Sequence, residues 1–248
     1  MSPLEAFFVF LAGVGAGGIN TVVGSGSLIT FPTLLAVGLP PVVANVSNNI
    51  GLVPGGVTGV VGYRPELKGQ RERLLRLGSA SVLGSLAGGL LLLWLPESAF
   101  RFIVPVLIGL ACVLVIVQPR LNQWLLRLRV HPHGGPWLWL GVLAAGVYGG
   151  YFGAAQGVVL IGLLGSFLDD DLQRINAAKN VLALLANTTA ALLFVLIAPV
   201  DWMAVLMVAL GTSVGGYLGA RIGRRLPTPI LRAFIVIVGI AAIVKLIA

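Results

Sequence analysis

The sequence predicts an all-α polytopic membrane protein built from two inverted-topology repeats, each with a broken or re-entrant helix followed by three transmembrane helices. Three observations support this fold class: a series of long apolar stretches, a recurrence of similar residues 131 positions apart, and an opposite placement of basic residues in equivalent loops. Together they exclude a soluble globular domain.

The apolar composition places the chain in a membrane. Hydrophobic residues make up 58% of the chain and charged residues 10%, whereas soluble domains have about 25% charged residues. Several apolar stretches are long enough, or nearly long enough, to cross a bilayer. They are residues 4–23, 42–62, 74–95, 102–117, 137–152, 181–197, 203–220 and 230–248. These stretches leave no room within the chain for a separate soluble domain.

Charge and cysteine content exclude two other classes. The net charge of +8 comes from basic residues in short loops beside apolar stretches, a distribution that sets membrane orientation rather than a nucleic-acid surface. The single cysteine, Cys112, lies in an apolar stretch, so it supplies neither a disulfide framework nor a metal cluster. We expect no nucleic-acid partner, no cofactor and no metal.

Residues that are scarce in this chain recur at a constant distance of 131 positions. The matches of Asn, Pro and Arg are the evidence for a repeat, because Leu, Val, Gly and Ala often match by composition alone. The pairs are Asn45 with Asn176, Asn49 with Asn180, Thr58 with Thr189, Gly84 with Gly215, Gly88 with Gly219, Pro96 with Pro227 and Arg101 with Arg232. We expect a first repeat at residues 1–119, a basic cytoplasmic linker at 120–136 and a second repeat at 137–248.

Basic residues predict that the second repeat is inverted relative to the first. Residues 64–76 carry five Lys and Arg, whereas the equivalent residues 198–202 carry none. Residues 221–229 carry three Arg and correspond to the turn at 96–101 of the first repeat. Because Lys and Arg accumulate in cytoplasmic loops, we expect residues 64–76, 118–136 and 221–229 inside, with the turn at 96–101 and the N-terminus outside.

The first repeat contains a Gly-Ser break at residues 24–27, after the first apolar stretch. The apolar piece that follows, residues 28–39, has 12 residues and would be about 18 Å long as a helix, short of the roughly 30 Å hydrocarbon core. Either three crossings or one crossing plus a re-entrant hairpin would satisfy the loop charges. The short length favours the re-entrant or broken-helix version.

These breaks predict a solute site, because irregular backbone at membrane depth is tolerated only where it faces protein or a water-filled cavity. Free N–H groups and a helix N-terminus at the first break would attract an anion. The candidate residues are Gly24, Ser25, Gly26 and Ser27 in the first half, and Gln156 and Gly157 in the second. The alternative is a glycine cluster that only packs helices or turns at the membrane surface.

A second polar set opens the next helix in each half. The sets are Asn45, Asn48 and Asn49 in the first half, and Asn176, Lys179 and Asn180 in the second. The two outer Asn residues of each set are four apart and share one helical face. Lys179 is the one cation, and an ionisable group in a transmembrane segment is a candidate functional residue. The alternatives are amides that only join helices and a lysine that extends to the cytoplasmic interface near residues 169–171.

Residue patterns for enzyme chemistry are poor, so we expect no catalytic activity. The carboxylates all lie in or near loops, and no carboxylate pair, Ser-His-Asp set or metal-ligand spacing falls within an apolar stretch. His131 and His133 lie in a loop rich in Pro and Gly.

Several segments resemble one known family. The run GVGAGGINTVVGSGSLITFP at residues 13–32, followed by GLPPVVANVSNN, resembles the first repeat of the sulfite exporter TauE/SafE family. Residues 146–157, RINAAKN at 174–180 and GTSVGGYLGARIGRRLP at 211–227 resemble the second. The resemblance covers nearly the whole chain.

The resemblance implies a multi-pass transporter of the bacterial plasma membrane that exports a small sulfur-containing anion, such as sulfite or sulfoacetate. Amides, hydroxyls and one cation suit a sulfonate better than a metal cation, which would require carboxylates. The alternatives are import of thiosulfate or a related anion, and a membrane assembly subunit that transports nothing. The expected partners are a small anionic substrate and the lipid bilayer, with a homodimer left open.

Overall fold

The computed structural model describes residues 1–125 and 135–222, together with Ile237 and Ile240, and every regular element in this part of the chain is a helix. The helices are α1 (Pro3–Val22), α2 (Ser27–Ala36), α3 (Pro41–Gly62), α4 (Arg71–Trp94), α5 (Glu97–Leu125), α6 (Pro136–Tyr151), α7 (Gln156–Phe167), α8 (Leu172–Ile197) and α9 (Trp202–Ile222), with a short 3-10 helix at Arg64–Leu67 between α3 and α4. The predicted all-α class is confirmed for these residues.

Five of the described helices are long and apolar enough to cross a membrane: α1, α4, α5, α8 and α9. The chain is therefore a multi-pass membrane protein. The helix α3 has 22 residues but is not among these five, because the amides of its first turns lower its mean hydropathy. The short helices α2 and α7 have 10 and 12 residues, about 15 and 18 Å, so neither crosses a bilayer alone.

Some predicted boundaries are wrong. The helix α5 begins at Glu97 and continues to Leu125, past the predicted limits of 102–117 and into the predicted linker at 120–136. The turn before it is Leu95 and Pro96 rather than residues 96–101. The last predicted span at 230–248, the arginines Arg224 and Arg225, and most of the linker lie outside the described residues.

Local sequence explains where several helices begin. Ser2 and Glu5 form a capping box at the start of α1, with the Ser2 N–H donating to Glu5 and the Glu5 N–H donating to Ser2. The Asp171 carboxylate caps α8 by accepting from the Gln173 N–H at 2.9 Å. Pro41 occupies the first turn of α3, where a missing N–H has no consequence for the helix.

Glycines bring helices from the two halves of the chain into backbone contact. Gly13 lies against Gly211 and Gly18 against Gly215, so α1 runs parallel to α9. In the same way Gly84 of α4 lies against Gly146 of α6. A Cβ at these positions would meet backbone atoms of the partner helix, because small residues are what allows such close approach.

Two hydroxyl groups join α4 and α9 to the long helices α8 and α3. The Ser81 hydroxyl donates to the Leu182 carbonyl at 2.7 Å, and the Thr212 hydroxyl donates to the Gly51 carbonyl at 2.8 Å. Both donors and both acceptors are separated by 131 positions. The same contact therefore occurs once in each half of the structure.

A charged cluster links the start of α4 to the loop before α8. Asp170 accepts from Arg73 and from Arg174, each at 2.7 Å. Arg174 also donates to the Lys68 carbonyl at 3.1 Å. Burial alone would raise the pKa of Asp170, but hydrogen bonds from Arg73, the Asp171 N–H and Arg174 outweigh it and hold the pKa below its ordinary value.

The basic segment and the start of α9 lie at opposite ends of the structure. Gly62, just before the 3-10 helix, lies against Ala220 near the end of α9. At the other end the Asp201 N–H, just before α9, donates to Ser47 near the start of α3 at 3.0 Å. The loop at 63–70 should therefore be cytoplasmic and the loop at 198–201 external.

This orientation predicts opposite labelling of two single cysteines in a Cys112→Ser background. Trp202→Cys, at a position 59% exposed, should react with an impermeant maleimide in intact cells. Lys68→Cys, at an exposed position of the basic loop, should react only after the membrane is permeabilised. Labelling of both from the same side would contradict the orientation.

The charged cluster predicts an acid-sensitive contribution to stability. The pKa of Asp170 is lower in the folded protein than its ordinary value of 3.8. Its contribution to the free energy of unfolding is therefore complete above pH 3.8 and is lost as the pH falls through the pKa of the folded state. Asp170→Asn should lower the free energy of unfolding in detergent at pH 7 by about 1–3 kcal/mol, since two arginines lose a charged partner. The control is Glu72→Gln, which removes an exposed carboxylate next to Arg73 on α4. An equal loss of unfolding free energy in both variants would refute the cluster's role. So would a difference in unfolding free energy between wild type and Asp170→Asn that does not become smaller below about pH 4.

Candidate functional site

The two backbone breaks meet inside the structure. The Gly157 N–H donates to the Gly24 carbonyl at 3.0 Å, and a Cβ on either glycine would overlap the backbone of the other. Gly24 has a φ of 89° and Ala155 a φ of 58°, both in the left-handed region. Glycine adopts this conformation freely, whereas alanine is strained in it. The breaks are thus fixed by direct contact between backbones.

A small cavity lies beside this contact, between α1, α3, α8 and α9. It offers about 20 Å³ to the centre of a water molecule, which is room for one or two waters. Its walls include Gly24 at the break and glycines of α3. The polar residues that line it are Asn20, Thr21, Lys179, Asn180, Asn187 and Thr212.

Lys179 is fully buried at the wall of this cavity. Its Nζ donates to the carbonyls of Asn20 at 3.0 Å and Thr21 at 3.2 Å, in the last turn of α1. The carbonyl end of a helix carries partial negative charge, so it stabilises a cation there. The interfacial alternative is wrong, because Lys179 points into the protein and Asp170 is bound by two arginines instead.

Amides of α8 complete the end of α1. Asn176 and Asn180 each donate to the Thr21 carbonyl at 3.2 Å, so this oxygen accepts from three side chains when Lys179 is included. The predicted set Asn176, Lys179 and Asn180 therefore meets at one point. Of the three, Lys179 and Asn180 also line the cavity.

Two residues of the first-half set, Asn45 and Asn49, reach helices of the second half. Asn45 donates to the Tyr151 carbonyl at 3.0 Å, and Asn49 donates to the side-chain oxygen of Asn187 at 3.3 Å. Asn48 is 1% exposed. The side-chain oxygens of Asn48 and Asn49 are buried and accept no hydrogen bond within the described residues.

Nine of the twelve predicted site residues are not among those that line the cavity. Four of them are the amides Asn45, Asn48, Asn49 and Asn176, and the other five lie at the two breaks. Gly26 packs on the Ala16 carbonyl of α1, so a side chain there would strike a helix rather than a solute. Ser25 and Ser27 are buried, and Gln156 donates to the Ala145 carbonyl of α6 at 3.1 Å. Gly157 contacts Gly24 and the Lys179 side chain. The first break thus contributes Gly24 to the cavity.

Sequence reasoning missed Asn20, Thr21, Asn187 and Thr212 as cavity residues. Thr212 could have been found, because it lies 131 positions after Ser81 and both are scarce hydroxyls among apolar neighbours. Asn187 is an amide within an apolar stretch, which is a signal in itself. Thr21 contributes a backbone carbonyl, and no side-chain pattern predicts that. Among the described residues, no group of His, Cys, Asp and Glu could hold a metal ion.

Comparison with known proteins finds relatives that are named as probable membrane transporters. The probable membrane transporter protein YfcA of Escherichia coli strain K12 is 26% identical over 247 residues, covering 99% of this chain and 91% of that protein. A probable membrane transporter protein of Haemophilus influenzae is 25% identical over 248 residues, covering 96% and 93%. The probable membrane transporter protein ORF9 of Sinorhizobium is 24% identical over 243 residues, covering 97% and 92%. No solved structure matches the chain.

The family model described as sulfite exporter TauE/SafE matches residues 9–246. This match includes both breaks, both amide sets and the cavity between α1 and α8. The chain belongs to the sulfite exporter TauE/SafE family.

Proposed function

We propose that this chain is a secondary transporter that exports a small sulfur-containing anion across the bacterial plasma membrane. Sulfite and small organosulfonates such as sulfoacetate are the expected substrates. Family membership and the names of the three relatives support transport. The anion binds between the two halves, near the middle of the membrane.

The observation that carries this proposal is a buried ammonium group beside two helix breaks. Lys179 uses two of its three N–H groups on carbonyls of α1, which leaves one for a ligand. Asn187 accepts from Asn49 through its oxygen, so its amide N–H groups remain available as donors. These donors suit a sulfur oxyanion, and no carboxylate is among the residues that line the cavity. Charge-assisted hydrogen bonds of this kind bind anions strongly.

The pairing of the helices supports an inverted repeat. At the end of α3, Tyr63 packs with Ala177 in the first turns of α8. Near the start of α3, Asn49 reaches Asn187 further along α8. The equivalent helices α3 and α8 therefore run in opposite directions. At an offset of 131 positions, α4 corresponds to α9 and α6 to α1. The pairs α1–α9 and α6–α4 are therefore equivalent contacts between the halves.

Inverted repeats of this kind move solutes by rocking one part against another around a fixed site. The cavity of about 20 Å³ is too small for sulfite with its hydration water. We therefore assign the structure to a closed conformation, in which the walls must separate before an anion enters. Glycine-lined walls on α3 allow such movement without leaving large side chains to repack.

Substrate identity is tested by counterflow in proteoliposomes. Vesicles loaded with unlabelled sulfite, sulfoacetate, taurine, thiosulfate or sulfate should take up the labelled form of the same compound when the protein is present. We expect exchange with sulfite or sulfoacetate and little with taurine, whose ammonium group would oppose Lys179. A protein that exchanges none of the five compounds would contradict the proposal, and exchange of thiosulfate alone would favour the import alternative.

Lys179→Gln should weaken anion binding by about tenfold or more, because a charge-assisted hydrogen bond contributes about 1.5–3 kcal/mol. Lys179→Arg should recover part of the affinity, whereas Lys179→Met should not. The measurement is the anion-dependent rise in the unfolding midpoint of purified protein, which reports affinity in correctly folded molecules.

The matched control is Lys68→Gln, which removes a lysine from the exposed basic loop. It should leave the anion affinity unchanged. Unchanged affinity in Lys179→Gln would restrict Lys179 to binding the end of α1, and would remove it from the anion site.

A further inference from the structure

Two buried amide oxygens in the first half of the structure have no donor among the described residues. They are Oδ1 of Asn48 and Oδ1 of Asn49, in residues that are 1% and 7% exposed. Buried polar atoms in native proteins are almost always bound, and an exception calls for a missing water or ion. The question is which ligand these oxygens hold.

The face of α3 that carries these two amides reaches the C-terminal end of α6 through Asn45. Asn45, one helical turn earlier on α3, donates to the carbonyl of Tyr151, the last residue of α6. Asn48 and Asn49 follow at three and four residues, so they lie on the same face as Asn45. The next carbonyl, of Phe152, accepts from no backbone N–H within the described part of the chain. The end of a helix carries partial negative charge, so this region favours a cation.

The other half of the structure fills the equivalent place with a cation of its own. Asn48 corresponds to Lys179 at the offset of 131 residues, and Lys179 places its ammonium on the last carbonyls of α1. The position on α3 that is equivalent to Lys179 carries the neutral amide of Asn48 instead of a charge. The set Asn45, Asn48 and Asn49 therefore has no positive charge of its own and could take a cation as its ligand.

We propose that Asn48, Asn49 and the C-terminal carbonyls of α6 bind a sodium ion. The ligands are neutral amide and carbonyl oxygens, which suit a monovalent cation, whereas Ca²⁺ and Mg²⁺ sites use carboxylates. Helix C-terminal ends and unwound carbonyls coordinate Na⁺ in transporters with broken helices. The sodium ion binds the last carbonyls of α6, as the Lys179 ammonium binds the last carbonyls of α1.

The sodium site is linked to the cavity through one hydrogen bond. Asn49 donates from its Nδ2 to Asn187 at 3.3 Å, and Asn187 lines the cavity. A sodium ion on the Asn49 oxygen fixes the orientation of that amide, which in turn keeps the Asn187 amide N–H groups directed away from Asn49. Sodium should therefore raise the affinity for the anion. This effect rests on the proposed function, whereas the binding of sodium is independent of it.

The test is the unfolding midpoint of the purified protein, without substrate, in sodium, potassium and choline gluconate at equal ionic strength. The midpoint should rise with sodium to a plateau and stay unchanged with choline. Asn48→Ala should raise the apparent Kd for sodium about tenfold or more, since one ligand is lost. Asn48→Lys should abolish the sodium dependence and keep the high midpoint, because it supplies the cation found in the other half.

Thr189→Val is the control, because that hydroxyl donates within its own helix to Leu185 and should leave the sodium response intact. A wild-type midpoint equal in sodium and choline would overturn the proposal, since bound water would then suffice. A sodium response that is unchanged in both Asn48 variants would also overturn it, because the ion would lie elsewhere. Sodium stabilisation without any anion transport would retain this site and refute the proposed function alone.

Discussion

The carbonyl oxygen of Thr21 is the point on which the rest of the site depends. The helix α1 ends inside the protein, where its last carbonyls cannot reach water and must find donors elsewhere. Three side chains of α8 supply them. This requirement fixes the amide face of α8 toward α1, buries a lysine in a long apolar helix and places the break at Gly24 against it. The cavity is the space that remains beside these contacts.

The sequence predicts the parts of this arrangement that depend on residue type. Scarce Asn, Pro and Arg predict an offset of 131 positions, and the equivalent Ser81 and Thr212 contacts agree with it. The residues from Gly24 to Ser27 predict the break. What could not be predicted depends on geometry. Gly26 faces α1 rather than the cavity, since the direction of a glycine within a break cannot be read from its neighbours. Thr21 acts through its backbone, and its side chain bonds within its own helix to Gly17.

Close glycine contacts explain how the halves are held together without a large polar interface. The pairs α1–α9 and α4–α6 meet through backbones at Gly13 and Gly211 and at Gly84 and Gly146. Lipid offers no hydrophobic drive between helices, so tight packing of small residues supplies the attraction. Each pair joins a helix of one half to a helix of the other. Movement of these pairs as rigid units is therefore the motion that the packing permits most easily.

The asymmetry between Lys179 and Asn48 gives the two halves different electrostatic roles. Both positions open a long helix that reaches the end of a helix from the other half, yet one carries a fixed charge and the other an amide oxygen without a donor. A fixed ammonium cannot leave, whereas an ion held by neutral oxygens can be exchanged. Under the proposed function, an anion in the cavity would lie beside Lys179 and one hydrogen bond from Asn49. If both proposals hold, its binding energy would depend on the Lys179 amine of one half and on the sodium concentration through the other.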